Sequence, residues 1–420
     1  MKAIMNKNIN KISQSLALNI DTQSSIFETS TKINQEVDAI CHLYKGDNEI
    51  ILRKLNDELK NSIDFCYIDP PYNTKNKFIY NDNRTSNNHT IWGSHAEWMQ
   101  FMTSRLVHLH TLLKDTGIVA ISIDDYEQPY LRILLDQIFG ETNFIACISV
   151  CRSRNGKGSK GNIATNHEYI IVYGKTSQAE ITGFKDEDSS SYDRKDEYGL
   201  YKINGLFRKK GDASLREDRP NMFYPLYFDE NGNVFTENKD KLLKKVYPMD
   251  SKGIERRWLW GKEKATKESW KLFASKNGVI YVKNYHSEDK RIKPRSFWDD
   301  NRYLTERATN QIKEIYGTKV FETPKPLDLI EDLIISHTKK DALILDFFAG
   351  TGTTAHAAFN LNEKDNGTRK VILIEQEQPI SKTHVAYKNG FNVISDITEF
   401  RLRWLTKSNP NFSFQSKSVS

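Results

Sequence analysis

From residue 39 to 151, and again from about 326 to 375, short apolar runs alternate with amphipathic stretches. The runs are AICHLY (39–44), DFCYID (64–69), GIVAISID (117–124), ALILDFF (342–348) and KVILIE (370–375). Apolar side chains fall at successive rather than alternate positions, so each run predicts a strand buried on both faces. That is the pattern of a parallel sheet with helices packed on either side. The stretches between carry helical spacing. In 49–60 Ile50, Ile51, Leu55 and Leu59 share a face, and 97–113, 131–139, 326–337 and 354–362 read the same way. FIACISVC (144–151) and HEYIIVYGK (167–175) predict an antiparallel pair. The fold class is therefore α/β, with a doubly wound, mostly parallel sheet that includes an antiparallel strand.

Residues 179–319 lose this alternation. They carry short strand patterns, the turn signals Asn231-Gly232 and Asn277-Gly278, and most of the tryptophans. This predicts an inserted α+β domain. The organisation read from the chain is an N-terminal arm (1–38), a first half of the α/β domain (39–178), the insertion (179–319), a second half (320–407) and a tail (408–420). The formal net charge of +6 is unevenly spread: residues 239–295 hold 17 Lys+Arg against 7 Asp+Glu. Tyr247, Trp258, Trp260, Trp270, Phe273, Tyr281 and Tyr285 are interleaved there, which suits a polyanionic partner with stackable bases. The stretch RSRNGKGSKGNIATN (152–166) contributes Arg152, Arg154, Lys157 and Lys160 without an acid, and has too little apolar content to pack by itself.

Several classes are excluded by the same reading. No apolar run approaches the 18 residues of a membrane span, and the N-terminus has no secretory pattern. The four cysteines (Cys41, Cys66, Cys147, Cys151) read as small core side chains in a reducing, cytoplasmic compartment. There is no CxxC pair or His-Cys cluster at ligand spacing, so no metal site is expected.

Two motifs stand at strand ends. In Asp346-Phe347-Phe348-Ala349-Gly350-Thr351-Gly352-Thr353-Thr354 a buried strand runs into a glycine turn that opens a helix, the place where doubly wound sheets hold cofactors. It is neither a P-loop nor G-x-G-x-x-G. Glu375 ends the next strand, 25 residues after Gly350, where an acid usually takes a ribose diol. Together these point to an adenosine-containing cofactor. The second motif is Asp69-Pro70-Pro71-Tyr72. The prolines cannot donate backbone hydrogen bonds and fix the chain in an extended path. A carboxylate, backbone carbonyls and an aromatic ring are presented together, which suits a planar amine.

Asp69-Pro70-Pro71-Tyr72 followed downstream by FxGxG resembles the S-adenosylmethionine-dependent amino-methyltransferases of DNA. The order, catalytic motif before insertion before cofactor motif, resembles the β class of adenine-N6 enzymes. DPPYNTKNKFIYNDN (69–83), NIATNHEYIIVYGK (162–175), LREDRPNMFYPLY (215–227) and FETPKPLDLIEDLI (321–334) resemble the modification (Mod) subunits of type III restriction–modification systems. The likeness runs over most of residues 40–400. Mod proteins are usually longer, which marks this chain as a short member or a solitary relative.

The resemblance implies a Rossmann-like methyltransferase with an inserted target-recognition domain. It implies transfer of a methyl group from S-adenosylmethionine to N6 of an adenine flipped out of double-stranded DNA. Asp69 and the Pro70 carbonyl would hold the amine, Pro71 would complete the turn and Tyr72 would stack on the base, with Phe78 and Tyr80 as further stacking or core residues. Asp346, Phe348, Gly350, Gly352 and Glu375 would hold the cofactor, Asp47 would lie near its adenine, and Thr323, Lys325 and Pro326 would wrap its methionine end. His167-Glu168 would line the target-base pocket. Arg216, Arg219 and Asn221 would touch DNA or brace the insertion. Arg152, Arg154, Lys157, Lys160, Arg256 and Arg257 fall to phosphate contacts. A homodimer is implied, and a restriction (Res) subunit if the chain belongs to a type III system. Two rivals stay open. Cytosine-N4 enzymes share the chemistry, though they more often carry Ser in place of Asp69. A non-catalytic DNA-recognition subunit would not need the two motifs intact. RNA or protein methylation suits the large insertion less well, and no nuclease or helicase motif is present.

Overall fold

The computed structural model describes residues 39–74, 79, 95–155, 163–186, 191–287 and 290–419. The arm 1–38, Lys157, Lys160, Phe78 and Tyr80 lie outside the described residues. The chain forms two units. One takes in the chain up to Glu180, Ser296–Ile334 and Thr338 onward, and the other is Ile181–Arg295 with Ile335–His337.

The first unit is built on nine strands: β1 Cys41–Lys45, β2 Ile63–Ile68, β3 Leu113–Ile123, β4 Phe144–Cys151, β5 His167–Gly174, β6 Phe297–Trp298, β7 Leu343–Asp346, β8 Lys370–Glu375 and β9 Phe414–Ser418. Their order across the sheet is β6-β4-β5-β3-β2-β7-β8-β1-β9. Only β5 runs antiparallel, between β3 and β4, and the other pairings are parallel. The apolar runs are the cause. Cys66, Ile68, Val119, Ile121, Leu345 and Ile372 are all buried in one cluster with Trp98, Met102, Leu106 and Leu109 of the helix Ala96–Leu112. Each fully buried aliphatic side chain contributes about 1.5–3 kcal/mol of transfer free energy. A second cluster joins Ile312 and Tyr316 of the helix Thr305–Tyr316 to Ile394 and Ile397 of the helix Ile394–Ser408. Cys41, Cys66 and Cys151 are buried, Cys147 is half-buried, and none of the four is in a disulfide.

Three details differ from the expectation. Strand β3 starts at Leu113, directly on the end of its helix. The tail carries β9, an exposed edge strand of mostly polar side chains paired with β1. The insertion ends at Arg295, and residues 296–319 belong to the first unit, because β6 pairs with β4 and the helix Thr305–Tyr316 packs in the second cluster of that unit.

The second unit is α+β in content. A three-stranded sheet (Val234–Phe235, Leu226–Phe228, Lys244–Val246) and a four-stranded sheet (Leu272–Ala274, Ile280–Tyr285, Gly199–Leu206, Arg194–Asp196) contribute to one core. Trp258 stacks on Phe207 at 5.3 Å between ring centroids and donates its indole N–H to the Tyr224 carbonyl at 2.8 Å. Among the described residues no helix is long and apolar enough to cross a membrane.

Candidate active site

Parallel strands bring their carboxyl ends to one rim. Asp346 ends β7, Glu375 ends β8 and Asp69 follows β2 directly, and these three strands are consecutive in the sheet. Strand β5 runs the other way, so its first residues, His167-Glu168, arrive at the same rim. One cavity of about 810 Å³ is lined by Tyr67, Asp69 and Pro71 on one side and by Asp346, Phe348, Gly350, Thr351, Thr353, Thr354, Glu375 and Gln376 on the other. Phe321, Thr323 and Lys325 close it.

The segment after β2 is held rigidly. Pro70 and Pro71 are buried. The Trp98 indole N–H donates to the Pro71 carbonyl at 2.7 Å. Asn73 takes a left-handed φ of +58° and donates to Glu127 Oε1 at 2.7 Å, an oxygen that His95 Nδ1 also meets at 2.8 Å. Asp69 Oδ1 accepts from the Tyr72 hydroxyl at 2.6 Å and from Lys325 Nζ at 3.0 Å. Lys325 also donates to the Tyr72 oxygen at 2.8 Å and to Glu168 Oε2 at 3.0 Å. Among the described residues nothing donates to Asp69 Oδ2 or to the Pro70 carbonyl, so two acceptors are left on this turn. Burial pushes the Asp69 carboxyl up, and Lys325 works in the opposite direction. Burial also opposes the Lys325 ammonium, but Asp69 and Glu168 outweigh it and hold its pKa above the ordinary lysine value.

The glycine turn is shaped by positive φ at Gly350 (+52°) and Gly352 (+76°), a region any Cβ disfavours. Glu375 Oε2 accepts the Gly350 N–H at 2.6 Å and Oε1 accepts the Gln376 N–H at 2.9 Å. Asp346 Oδ1 accepts the Phe348 N–H at 3.1 Å, and Oδ2 accepts the Thr354 hydroxyl at 2.5 Å. Burial raises both carboxyls to about 7, against those hydrogen bonds.

The other expected site residues fall as follows. Gly352 shapes the turn without lining the cavity. Pro326 precedes the helix Leu327–His337 and is also outside the lining. Asp47 caps the helix Asn48–Leu59, accepting the Glu49 and Ile50 N–H groups, and does not line the cavity. Its neighbour Asn48 reaches the motif instead, donating to the Phe347 carbonyl at 2.7 Å. Tyr72 is half-buried, with Lys325 Nζ 5.1 Å from its ring centre, and is not among the lining residues. His167 meets the Tyr169 hydroxyl at 2.9 Å. Arg152 approaches Glu168 at 3.8 Å, and Arg154 is held by Asn301 and the Asp299 carbonyl. In the second unit Arg219 and Asn221 are exposed, and Arg216 pairs with Glu255 at 2.8 Å and lies over Phe223. Arg256 binds Asp250 and Ser214. Arg257 is buried and donates to the Ala213 carbonyl at 2.6 Å, so it braces the unit and is not placed for a phosphate contact. Sequence reasoning missed Trp98, Asn48, Glu168 as a partner of Lys325, and Thr398, which donates to the Gly350 carbonyl at 2.6 Å. The one signal was Glu168 beside an already suspect His167.

A doubly wound sheet with an Asp-Pro-Pro-Tyr turn and a glycine turn on one cavity defines a group-transfer enzyme that brings an amine to a nucleoside-type cofactor. The family model for DNA methylases of the N6/N4 type matches residues 63–386, and the chain belongs to that family. It is 56% identical over 407 residues to the type II methyltransferase M.KpnI of Klebsiella pneumoniae, covering 97% of both chains. It is 35% identical to the EcoPI Mod subunit of Escherichia phage P1, over 95% of this chain and 67% of that one. The StyLTI Mod subunit of Salmonella typhimurium is 31% identical, over 85% of this chain and 55% of that one.

Proposed function

We propose that this chain is a site-specific DNA methyltransferase that uses S-adenosylmethionine to methylate N6 of an adenine flipped out of the duplex. The observation that carries the reading is the single cavity shared by Asp69 and the Gly350 turn, with Asp69 Oδ2 without a donor among the described residues; the Pro70 carbonyl, also without one there, belongs to a residue next to the lining rather than in it.

The cavity suits the cofactor. Three carboxyls (Asp69, Asp346, Glu375) and one lysine line it, a balance that favours a ligand carrying positive charge. The positive-φ glycines keep the turn free of Cβ atoms where backbone must approach a ligand. Asp346, Phe348, Gly350, Glu375, Thr323 and Lys325 would hold it, with Glu375 on the ribose hydroxyls. When bound, S-adenosylmethionine supplies an electrophilic methyl on a sulfonium.

The work of the protein is on the amine. Its lone pair is delocalised into the purine ring, which makes it a poor nucleophile. Asp69 Oδ2 and the Pro70 carbonyl accept its two hydrogens and draw the nitrogen toward tetrahedral geometry, so the lone pair turns toward the methyl. The gain is orientation and fixed electrostatics, not proton abstraction by a strong base. Lys325 and Tyr72 hold Asp69 Oδ1, and Lys325 works against the burial that raises the pKa of this carboxyl. Flipping costs a few kcal/mol, which stacking in the pocket offsets. Arg216, Arg219 and Asn221 are the DNA-facing candidates of the second unit, and Arg152 and Arg154 those of the first.

Digestion of DNA methylated by the chain and separation of its nucleosides tests this. N6-methyladenine is expected. N4-methylcytosine would move the chain to the cytosine branch of the same family, and no methylated nucleoside would leave a DNA-recognition subunit. A homodimer is expected from light scattering. The relative at 56% identity is named a type II methyltransferase, so a Res subunit is not required by this reading. A cytoplasmic place of action is in keeping with work on DNA.

A further inference from the structure

Arg401, in the helix Ile394–Ser408, is completely buried, and among the described residues no carboxylate pairs with it. A buried guanidinium without a counter-charge is costly, and one that persists has fixed hydrogen-bond partners. Nη1 donates to the Thr351 and Thr353 hydroxyls at 3.1 and 2.8 Å, Nη2 to Gln311 Oε1 at 2.5 Å, and Nε to His356 Nδ1 at 3.3 Å. His356 is therefore an acceptor, and burial together with Arg401 keeps it neutral by lowering its pKa to about 3. Burial lowers the guanidinium itself only to about 10, so it stays charged at neutral pH.

Thr351 and Thr353 are the point of contact with the cavity, which both residues line. Their hydroxyls lie 3.2 Å apart. Each accepts from Arg401, so each must aim its own proton elsewhere. One of the two protons can bridge the pair, and the other is left to donate. That donor is polarised by a full positive charge behind it, and charge-assisted donors bind anions most strongly. The remaining charge on the wall is unfavourable to an anion. Asp69, Asp346 and Glu375 are acids, and the one lining lysine, Lys325, is already engaged by Asp69 and Glu168. A zwitterionic ligand needs a positive centre for its carboxylate, and the glycine turn backed by Arg401 is where this wall supplies one.

We propose that Arg401 is a positioning residue for the cofactor, holding the carboxylate of its amino-acid end through the Thr351 and Thr353 hydroxyls. The inference rests on the S-adenosylmethionine reading above. It assigns a role to a residue outside both sequence motifs, and it predicts a split between ligands that have the amino-acid end and ligands that lack it.

The test is calorimetric titration of the full chain with S-adenosylhomocysteine, which has the carboxylate, and with 5′-methylthioadenosine, which does not. Arg401→Gln is expected to weaken S-adenosylhomocysteine at least tenfold and to leave methylthioadenosine within about twofold. Thr353→Val removes one hydroxyl with little change of shape, and is expected to give the same split at a few-fold. It decides the matter if Arg401→Gln does not fold. Equal losses for both ligands, or no loss for either, would overturn the role of Arg401. A wild-type chain that binds methylthioadenosine as tightly as S-adenosylhomocysteine would overturn it too. A wild-type chain that binds neither ligand would instead overturn the cofactor reading on which the proposal stands.

Discussion

At the scale of single residues, the site gathers carboxyls whose pKa burial raises. Burial raises the Asp69 pKa, and Lys325 opposes that rise. Lys325→Met should therefore raise the Asp69 pKa further. The acid limb of kcat against pH should move up by about 1–3 units, the range for loss of a nearby opposite charge. A limb at the wild-type position would remove Lys325 from this role. Burial raises Asp346 as well. Its folded pKa is about 7 against an unfolded value near 3.8, so it is raised by folding. Its contribution to stability is present in full below pH 4 and is lost as pH rises through 7. Three units correspond to roughly 4 kcal/mol. Asp346→Asn should flatten the fall of thermal midpoint between about pH 4 and 7, read by calorimetry of the ligand-free chain. Asp69, Gly350 and Glu375 were legible in the sequence because each ends an apolar run. Asn48, Arg401 and the pairing of Glu168 with Lys325 were not, since a lone polar residue in a helix or strand carries no pattern until its neighbours in space are known. Asp47 shows the converse: Gly-Asp-Asn reads equally as a ligand position or an ordinary turn, and its side chain caps the helix Asn48–Leu59.

At the scale of elements, strands with continuous apolar runs were readable almost to the residue: FIACISVC and KVILIE are β4 and β8. Strand β9, FQSKS, was not, because an exposed edge strand of polar side chains has no core signature and takes its structure from pairing with β1. The helix Thr305–Tyr316 has a clear apolar face but falls within the expected insertion (179–319), because the sequence gives no sign of which core that face meets. The helix Ala96–Leu112 matters most for function, since Trp98 fixes the Pro71 carbonyl. This leaves the Pro70 carbonyl as the open acceptor. Trp98→Phe keeps most of the packing and removes the donor, which should cost about 1–3 kcal/mol in urea unfolding for an unsatisfied buried carbonyl. It should also lower kcat with little change in cofactor affinity. A drop in cofactor affinity with kcat unchanged would show that the indole supports the other side of the cavity.

At the scale of the whole molecule, a chain of 420 residues brings together two motifs about 280 positions apart, because β2, β7 and β8 are neighbours in the sheet although the second unit intervenes in sequence. The sequence could show that both motifs end strands of one parallel sheet. It could not show which strands were adjacent, because strand order is set by packing and not by chain order. The basic segment 239–295 belongs to the second unit, and part of its charge is spent internally, on Asp250 by Arg256 and on Glu268 by Lys271. DNA affinity should still fall with salt, with a log–log slope of about −0.9 per phosphate neutralised. A flat response between 50 and 200 mM salt would contradict an electrostatic role for that segment. The most direct test of the shared cavity is transfer of labelled methyl to unmethylated DNA by the wild-type chain and by Asp69→Asn, with S-adenosylmethionine binding measured in parallel. The expected result is label in N6-methyladenine for the wild type, and a loss of roughly 100-fold or more in the variant, with cofactor affinity kept within a few-fold. Undiminished transfer by Asp69→Asn would contradict it.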